Sequence, residues 1–417
     1  MYALVDCNNF YVSCERVFDL SLINKPVAIL SNNDGCVISR SGELKKLGVK
    51  MGVPYFQLKP LIPLHGIVIR SSNYELYGDL SKRVMTVLSD FSPDVEPYSI
   101  DEAFLLLSLP DGAGYFAYGQ QIRRRIMKWV GIPVGVGIAP TRTLAKIANH
   151  VAKTLPEGVF VMPEDNTALL AQLPVEEVWG IGSRLAARLN ALGIKTAEQF
   201  RRLDEWFIRS KFSVCLARTA LELRGIPALS SEDAEQPSQS VSCSRSFGHP
   251  VIDLRDLTEA VAVYTALAAT KLRKENQKAA GVNVYFQYYP EYGGTAQEGG
   301  TSGTSVVFNF PTSDTGTMLN QINTALPGLF IDGRRYKKAG VIFFGLESAL
   351  TGQPDIFNYT EPDKRDKLNE AVDGINKKFG KNTIFHLAEG ILRPWTMKRD
   401  HLSPNYTTDW TQIPVVK

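Results

Sequence analysis

The chain has 417 residues, of which 44% are hydrophobic and 21% charged, and no apolar run reaches about 18 residues. This composition indicates a globular protein of about two to four domains and excludes a membrane span, and an acid at position 6 argues against a signal peptide. The net charge of +3 limits any nucleic-acid contact to local clusters, and five scattered cysteines favour a reducing cytoplasm over a disulfide framework.

The first part of the chain alternates strand-like and helical patterns in an order typical of a ferredoxin-like sheet. Residues 8–71 interrupt that order with many turn formers and one short helical patch at 42–47. The other predicted elements are a strand at 2–5, a helix at 73–91, a hairpin at 94–107, a helix at 115–130 and a strand at 134–138. In this topology the first strand lies antiparallel beside the third, so its end meets the tip of the hairpin.

Three carboxylates are therefore expected to converge at one end of this sheet. Asp6 ends the first strand, and Asp101 and Glu102 lie at the hairpin tip. Close carboxylates repel each other unless a cation lies between them, and Mg²⁺ prefers oxygen ligands of this kind. Two cations held in this way can stabilise both the attacking and the leaving oxygens of a phosphoryl transfer. The alternative is that all three are ordinary acids of turns and strand ends.

Basic and aromatic residues near these acids are candidates for substrate contacts. Lys45 lies on the short 42–47 helix, and Lys153 follows a helix predicted at 141–152. Either lysine could hold a triphosphate or face solvent. Phe10 and Tyr11 lie just past Asp6, where a ring could pack under a substrate sugar or belong to the core.

Residues 163–228 are predicted to be helical and contain a pattern typical of a helix-hairpin-helix motif. Gly180 and Gly182 precede a helix at 183–192, so backbone N–H groups there could approach a DNA phosphate without regard to base sequence. The alternative is a tight turn between two helices.

A polar stretch at 229–241 predicts a linker, and residues 242–347 then mix strands and helices in a second, smaller domain. Its predicted strands are 282–286, 305–310 and 339–344, and its predicted helices are 257–275 and 314–325. We expect a Gly-rich loop at 291–304 and, beyond residue 348, little periodicity except a helix at 364–378.

Short motifs spread over nearly the whole chain resemble those of the Y-family of translesion DNA polymerases. They are DCNNFY at 6–11, SNNDGC at 31–36, SSNYELY at 71–77, YSIDE at 98–102, VGVGI at 134–138, TLAK at 143–146, VWGIG at 178–182, CSRSFG at 243–248 and LSPNYTT at 402–408. The resemblance implies an α+β, multidomain right-hand polymerase. It implies a ferredoxin-like palm at 1–10 and 72–160, small fingers at 11–71, a helical thumb at 161–228, the linker at 229–241, an α/β little finger at 242–347 and a C-terminal region with partner contacts at 348–417.

The resemblance also implies roles for individual residues. Two Mg²⁺ ions would be held by Asp6, Asp101, Glu102 and the backbone carbonyl of Cys7. Tyr11 would be a steric gate beside Phe10, Lys45 and Lys153 would contact the triphosphate, and Gly180, Gly182 and Arg245 would contact DNA. One departure concerns the fingers, because many members have a phosphate-contacting Tyr three residues before the basic residue, where this chain has Gly42.

The implied reaction is template-directed, error-prone DNA synthesis, in which a primer 3′-hydroxyl attacks the α-phosphate of a dNTP. Small fingers would check the nascent pair loosely, which explains tolerance of lesions. The implied setting is the SOS response to DNA damage, with a dimer of a processed UmuD-like partner and a RecA-type recombinase filament as activators.

A sliding clamp is a further expected partner. Gln353, Ile356 and Phe357 resemble the short peptide that docks bacterial polymerases onto the clamp, in which two apolar side chains fill a pocket and the amide fixes the register. The alternative is a chance loop sequence.

Two other classes of protein remain open from the residues alone. A nucleotidyl cyclase-like enzyme would share the ferredoxin-like sheet, although the helix-hairpin-helix and the late α/β domain argue against it. A non-catalytic DNA-binding scaffold would not need three carboxylates. A primer-extension assay with Mg²⁺ separates these possibilities.

Overall fold

The computed structural model describes residues 1–109, 114–229, 238–290, 299–349 and 362–413. The chain divides into two compact units. The first comprises Met1–Ser31, Gly35–Gln236 and His401–Lys417, and the second comprises Asn32–Asp34 and Pro237–Asp400. Each unit therefore contains segments that are distant in sequence.

The first unit contains strands β1 to β8 and helices α1 to α12. The strands are, in chain order, Tyr2–Cys7, Val27–Leu30, Val37–Arg40, Val68–Ser71, Val95–Pro97, Glu102–Leu106, Val134–Ala139 and Val159–Val161. The helices are Phe10–Phe18, Gly42–Lys46, Tyr55–Leu58, Leu61–His65, Tyr74–Leu88, Tyr115–Val130, Arg142–Ala152, Thr167–Gln172, Ser183–Ala191, Ala197–Arg201, Glu205–Lys211 and Val214–Leu223.

The main sheet of the first unit has the predicted ferredoxin-like order. Its five strands run β5-β6-β1-β7-β8, and β1 pairs antiparallel with both β6 and β7. The added edge strand β8 pairs parallel with β7. Helices α5 and α6 cover one face, and α7 packs on the other, so β1 and β7 are almost entirely buried.

A glycine in β7 lets helix α7 lie unusually close to this sheet. A Cβ atom at Gly137 would lie 2.0 Å from the backbone nitrogen of Asn149, so no other residue fits there without moving the helix. The Asn149 side chain then donates hydrogen bonds to the carbonyls of Leu4 and Gly135, at 3.2 and 2.9 Å. This close packing fixes the position of α7 relative to the end of β1.

The inserted segment between β1 and α5 is more regular than predicted. It contains helix α1 and a three-stranded sheet of order β3-β2-β4, whereas the sequence indicated mainly turns with one helical patch. These strands have four residues each, too few to show a clear period. Their apolar residues divide between a cluster within the inserted segment and the core under the main sheet. The predicted helical patch is confirmed as α2, which Ser41 caps by accepting a hydrogen bond from the Leu44 amide.

The predicted helical nature of the segment after the main sheet is also confirmed, since α8 to α12 follow β8. The second unit contains β9 at Val241–Val251, α13 at Leu254–Lys274, β10 at Gln277–Tyr288, β11 at Thr301–Thr312, α14 at Thr315–Ala325, β12 at Tyr336–Ser348 and α15 at Pro362–Phe379. Its four strands form an antiparallel sheet of order β11-β10-β12-β9, and buried residues of α13 and α14 complete its core.

Several sequence-based boundaries in the second unit were wrong. The predicted Gly-rich loop at 291–304 ends too late, because residues 301–304 already pair with β10. Strand β9 was not predicted, because polar residues alternate irregularly along it. Most of the predicted 229–241 linker, residues 291–298 of the loop and the Gln353, Ile356 and Phe357 peptide lie outside the described residues.

The chain returns to the first unit at its C-terminal end. The backbone of His401 exchanges hydrogen bonds with Ser71 at the end of β4, at 2.9 and 3.0 Å. Within the described part of the chain, no helix combines the length and apolar character that crossing a membrane requires.

Candidate functional site

The three predicted carboxylates lie together at one end of the main sheet. Asp6 is paired directly with Glu102 in the register of β1 and β6. The Cys7 amide donates a 2.9 Å hydrogen bond to the Asp101 carbonyl, which holds the hairpin tip against the end of β1. The sheet topology therefore brings together residues that are nearly one hundred positions apart in sequence, as predicted.

Lysines from the α7 segment neutralise two of these acids. Lys153 Nζ lies 2.6 Å from Asp6 Oδ2, and Lys146 Nζ lies 2.7 Å from Glu102 Oε2. The Asp101 carboxylate instead accepts a 2.5 Å hydrogen bond from the Ser99 hydroxyl. Among the described residues, no three His, Cys, Asp or Glu side chains are arranged as a ready metal-binding cluster.

The donor set nevertheless has the chemistry that Mg²⁺ requires. Burial raises the pKa of Asp6, Lys153 opposes this rise, and a hydrogen bond with Glu102 adds to it. Burial also acts to raise the pKa of Glu102, but hydrogen bonds with Asp6 and Lys146 outweigh it and lower that pKa. Burial therefore disfavours two ionised carboxylates side by side, and a hard divalent cation would relieve this cost because every donor is an oxygen. The residues fit such an ion.

Two cavities flank Asp6. The first, of about 360 Å³, is called here the Arg40 cavity, and its lining includes Tyr11, Arg40, Lys45, Asp101 and Lys153. The second, of about 220 Å³, is called the Trp179 cavity, and its lining includes Glu102, Lys146, His150, Glu177 and Trp179. Asp6 and Lys153 line both cavities, so the acids lie between two spaces open to a ligand.

The Arg40 cavity collects the predicted substrate residues and one that the sequence did not reveal. Burial lowers the pKa of Lys45, and the nearby Arg40 and Lys153 lower it further. Arg40 donates a 2.6 Å hydrogen bond to the Val49 carbonyl, and its Nε is buried without a hydrogen-bond partner among the described residues. The three cations repel each other, so a polyanion would be stabilised there. No sequence pattern singled out Arg40, because β3 has only four residues and was not predicted.

Tyr11 also lines this cavity, and two other tyrosine rings pack against its ring. It stacks on Tyr77 at 4.4 Å between ring centroids with an interplanar angle of 14°, and its edge meets Tyr74 at 6.2 Å. Phe10 contacts Tyr11 and also lines the cavity, although most of its side chain is buried in the core. The Tyr11 ring is therefore fixed at the cavity wall by aromatic contacts.

The Trp179 cavity has a different lining. Lys146 Nζ lies 4.3 Å from the centre of the Tyr98 ring and 5.3 Å from that of Trp179, and the Trp179 indole donates a 3.2 Å hydrogen bond to the Tyr98 hydroxyl. The ammonium thus lies over both rings, which are perpendicular to each other, while it also pairs with Glu102. Sequence reasoning assigned no role to Lys146 or Trp179, because they are 33 positions apart and meet only through folding.

The predicted DNA-contacting residues are exposed. Gly180 has a left-handed backbone with φ of 87°, which favours glycine, and the buried Ile181 anchors the turn. Gly182 is exposed at the start of α9, and space around its Cα is open. Arg245 is exposed on β9. The two glycines of the turn are therefore accessible from solvent, as a helix-hairpin-helix motif requires.

Comparison with protein families accounts for most of the chain. Residues 5–150 match the impB/mucB/samB family, residues 163–194 match the helix-hairpin-helix motif of that family, and residues 238–356 match its C-terminal domain. Residues 366–416 match a domain of unknown function.

Individual relatives are similar over their full length. The chain is 42% identical to protein UmuC and to protein ImpB of Salmonella typhimurium over 100% of each chain. It is 28% identical to DNA polymerase IV of Desulfatibacillum aliphaticivorans, covering 91% of this chain and 94% of that one. Its fold resembles a solved Y-family DNA polymerase chimera of Dbh and Dpo4, with a TM-score of 0.62, 22% identity, and coverage of 83% of this chain and 99% of the other.

Proposed function

We propose that this chain, which belongs to the impB/mucB/samB family and is a Y-family DNA polymerase, copies damaged templates by two-metal nucleotidyl transfer from a dNTP to a primer 3′-hydroxyl. The observation that carries this proposal is the pairing of Asp6 with Glu102 beside Asp101, at the wall of a cavity that holds three cations and a stacked tyrosine. The acids supply the metal ligands, and the cations suit a triphosphate.

Asp6, Asp101, Glu102 and the Cys7 carbonyl would hold two Mg²⁺ ions, which when bound neutralise charge on the attacking and leaving oxygens. Other side chains of the protein bind the nucleotide and select its sugar. Arg40, Lys45 and Lys153 bind phosphate oxygens, and Lys153 exchanges its ion pair with Asp6 for one with the nucleotide. Tyr11, fixed on Tyr77, would exclude a ribose 2′-hydroxyl by steric contact.

Gly180 and Gly182 would bring backbone N–H groups to duplex phosphates, and Arg245 would add a cationic contact. None of these groups reads base edges, so the grip would be independent of sequence. That property suits an enzyme that must act wherever a lesion stops synthesis. We place this activity in the cytoplasm, within the SOS response.

The test of the chemistry is primer extension with Mg²⁺ by Asp101→Asn. This change keeps the size of the side chain but removes one ligand charge, so extension should fall by several orders of magnitude while affinity for primer-template DNA stays close to wild type. Full extension by the variant would refute the metal assignment. Loss of both primer extension and DNA binding would indicate misfolding, which a melting curve detects. Absence of any extension by the wild-type protein when a processed UmuD-like dimer and a RecA-type filament are present would refute the proposal.

Three protein partners belong to the same proposal. A processed UmuD-like dimer and a RecA-type filament would activate the enzyme, and Gln353, Ile356 and Phe357 would bind a sliding clamp. The clamp contact is tested by replacing Ile356 and Phe357 with Ala, which should remove stimulation by the clamp while basal extension persists. Stimulation that survives would locate the contact elsewhere.

A further inference from the structure

The C-terminal segment 401–406 packs on the residues that support the Tyr11 ring. It belongs to the first unit and lies within the part of the chain that matches a domain of unknown function. Tyr406 stacks on Phe18 of α1 at 4.8 Å between ring centroids, with an interplanar angle of 7°. The His401 imidazole lies 3.1 Å from the Tyr55 hydroxyl. The segment is therefore tied to the inserted region at both ends.

Between these contacts, Ser403 enters a buried polar network. Its hydroxyl donates a 3.0 Å hydrogen bond to Glu15 Oε1 and accepts one of the same length from the Asn73 side-chain amide. Asn73 also donates to the Pro404 carbonyl at 3.2 Å, while its own oxygen caps helix α5 by accepting from the Leu76 amide. Glu15 is 0% and Ser403 4% exposed, so both rely on protein partners in place of water.

The same Glu15 oxygen holds the platform beneath Tyr11. The Tyr77 hydroxyl donates a 2.8 Å hydrogen bond to Glu15 Oε1, and the Tyr77 ring is the one on which Tyr11 stacks. Tyr11 and Glu15 are four residues apart on α1 and share one helix face. A continuous set of contacts therefore runs from Ser403 through Glu15 and Tyr77 to Tyr11.

We infer that Ser403 and Glu15 are positioning residues for sugar selection, and that the C-terminal segment sets how firmly the Tyr11 ring is held against an incoming nucleotide. This inference rests on the proposed role of Tyr11 as the sugar gate. A steric gate discriminates only while its ring cannot retreat, and Tyr77 is its support. Loosening Tyr77 would give a ribose 2′-hydroxyl room that a deoxyribose does not need. The C-terminal segment thus acts on specificity although it lines neither cavity.

The test measures the ratio of kcat/KM for rNTP to that for dNTP in single-nucleotide insertion by the full chain. Ser403→Ala removes the donor to Glu15, and Tyr77→Phe removes only a hydroxyl while keeping the stacked ring. Each should raise the ratio by about two- to tenfold, the loss expected for one hydrogen bond, with dNTP insertion reduced less. Glu15→Gln keeps an acceptor at Oε1 and should retain the wild-type ratio. Trp410→Ala is the matched control, because that side chain lies a few residues beyond the 401–406 segment and is 90% exposed.

Combination with Tyr11→Ala separates this inference from the gate itself. Tyr11→Ala should raise the ratio more than either supporting variant, and adding Ser403→Ala to it should change nothing further, since the effect passes through the missing ring. An unchanged ratio in Tyr11→Ala would refute the gate. A changed ratio there, with unchanged ratios in Ser403→Ala and Tyr77→Phe, would refute the inference alone. Equal losses of rNTP and dNTP insertion in those two variants would also refute the inference. Should Ser403→Ala fail to fold, the ratio measured for Tyr77→Phe tests the inference by itself.

Discussion

The two cavities that flank Asp6 differ in charge although they share two residues. The Arg40 cavity contains three cationic side chains, Arg40, Lys45 and Lys153, against the carboxylates of Asp6 and Asp101. The Trp179 cavity contains the lysines 146 and 153 against the carboxylates of residues 6, 102 and 177. An excess of positive charge suits a triphosphate, whereas an excess of negative charge opposes one. The difference supports the proposal that the nucleotide binds in the Arg40 cavity.

The Trp179 cavity has instead the features of a site for a less charged group. Its ammonium lies over two aromatic rings and is paired with Glu102, and rings of this kind pack well on a sugar or a base. We expect the primer end to lie on this side of the acids. Four substitutions test the contrast between the cavities, in order of the effect expected.

Lys153→Ala should have the largest effect, because this lysine lines both cavities and pairs with Asp6. Loss of a charged contact costs about 1.5–3 kcal/mol, so kcat/KM for dNTP should fall on the order of 10- to 100-fold. Steady-state single-nucleotide insertion measures this. Lys46→Ala removes a neighbouring exposed charge on α2 and is the matched control. A similar loss of kcat/KM in both variants would mean that Lys153 acts only by attracting DNA through its positive charge.

Arg40→Ala should raise KM for dNTP by about tenfold and leave affinity for primer-template DNA unchanged, because Arg40 lines the Arg40 cavity and not the Trp179 cavity. Arg40→Lys keeps the positive charge but loses the planar, forked donor geometry of the guanidinium. Its KM for dNTP should lie between that of the wild type and that of Arg40→Ala. Insertion kinetics and DNA-binding titrations are compared for the same protein preparations. Weaker DNA binding with an unchanged KM would contradict the assignment of the cavity.

Lys146→Ala should act on the other side of the acids. We expect kcat to fall about two- to tenfold with little change in KM for dNTP, since the lysine lines only the Trp179 cavity and its removal leaves Glu102 without its partner. Lys146→Arg retains a cation over the rings and should recover most of the rate. A rise in KM for dNTP equal to that of Arg40→Ala would remove the distinction between the cavities.

Gly42→Tyr should have the smallest effect and would sharpen the comparison. Nothing lies within 4 Å of a Cβ at this position, so a side chain is tolerated sterically, and Lys45 lies three residues further along the same short helix. A hydroxyl that reaches the triphosphate should lower KM for dNTP by about two- to threefold, most clearly in the Arg40→Ala background. An unchanged KM in that background would mean that Gly42 lies too far from the nucleotide to matter.

The order of elements was sufficient to predict the main sheet and its three acids. Strands and helices in this part of the chain are long enough to show their periods, and a ferredoxin-like order leaves one position for the first strand. With β1 antiparallel to β6, the end of β1 meets the tip of the hairpin, so Asp6 lies near Asp101 and Glu102. This convergence follows from topology alone, so it could be read from the sequence before any contact was known.

Only the tertiary structure decided which other side chains join the site. The strands of the inserted segment are too short to show a period, so the place of Arg40 on β3 had no local signal. The bond between Ser403 and Glu15 joins residues 388 positions apart, and no pattern within either segment predicts it. Local sequence fixes periodicity, caps and turns, because these depend on near neighbours. Contacts between distant segments depend on how whole elements pack. This packing decides which cations line the Arg40 cavity and which residues support the Tyr11 ring.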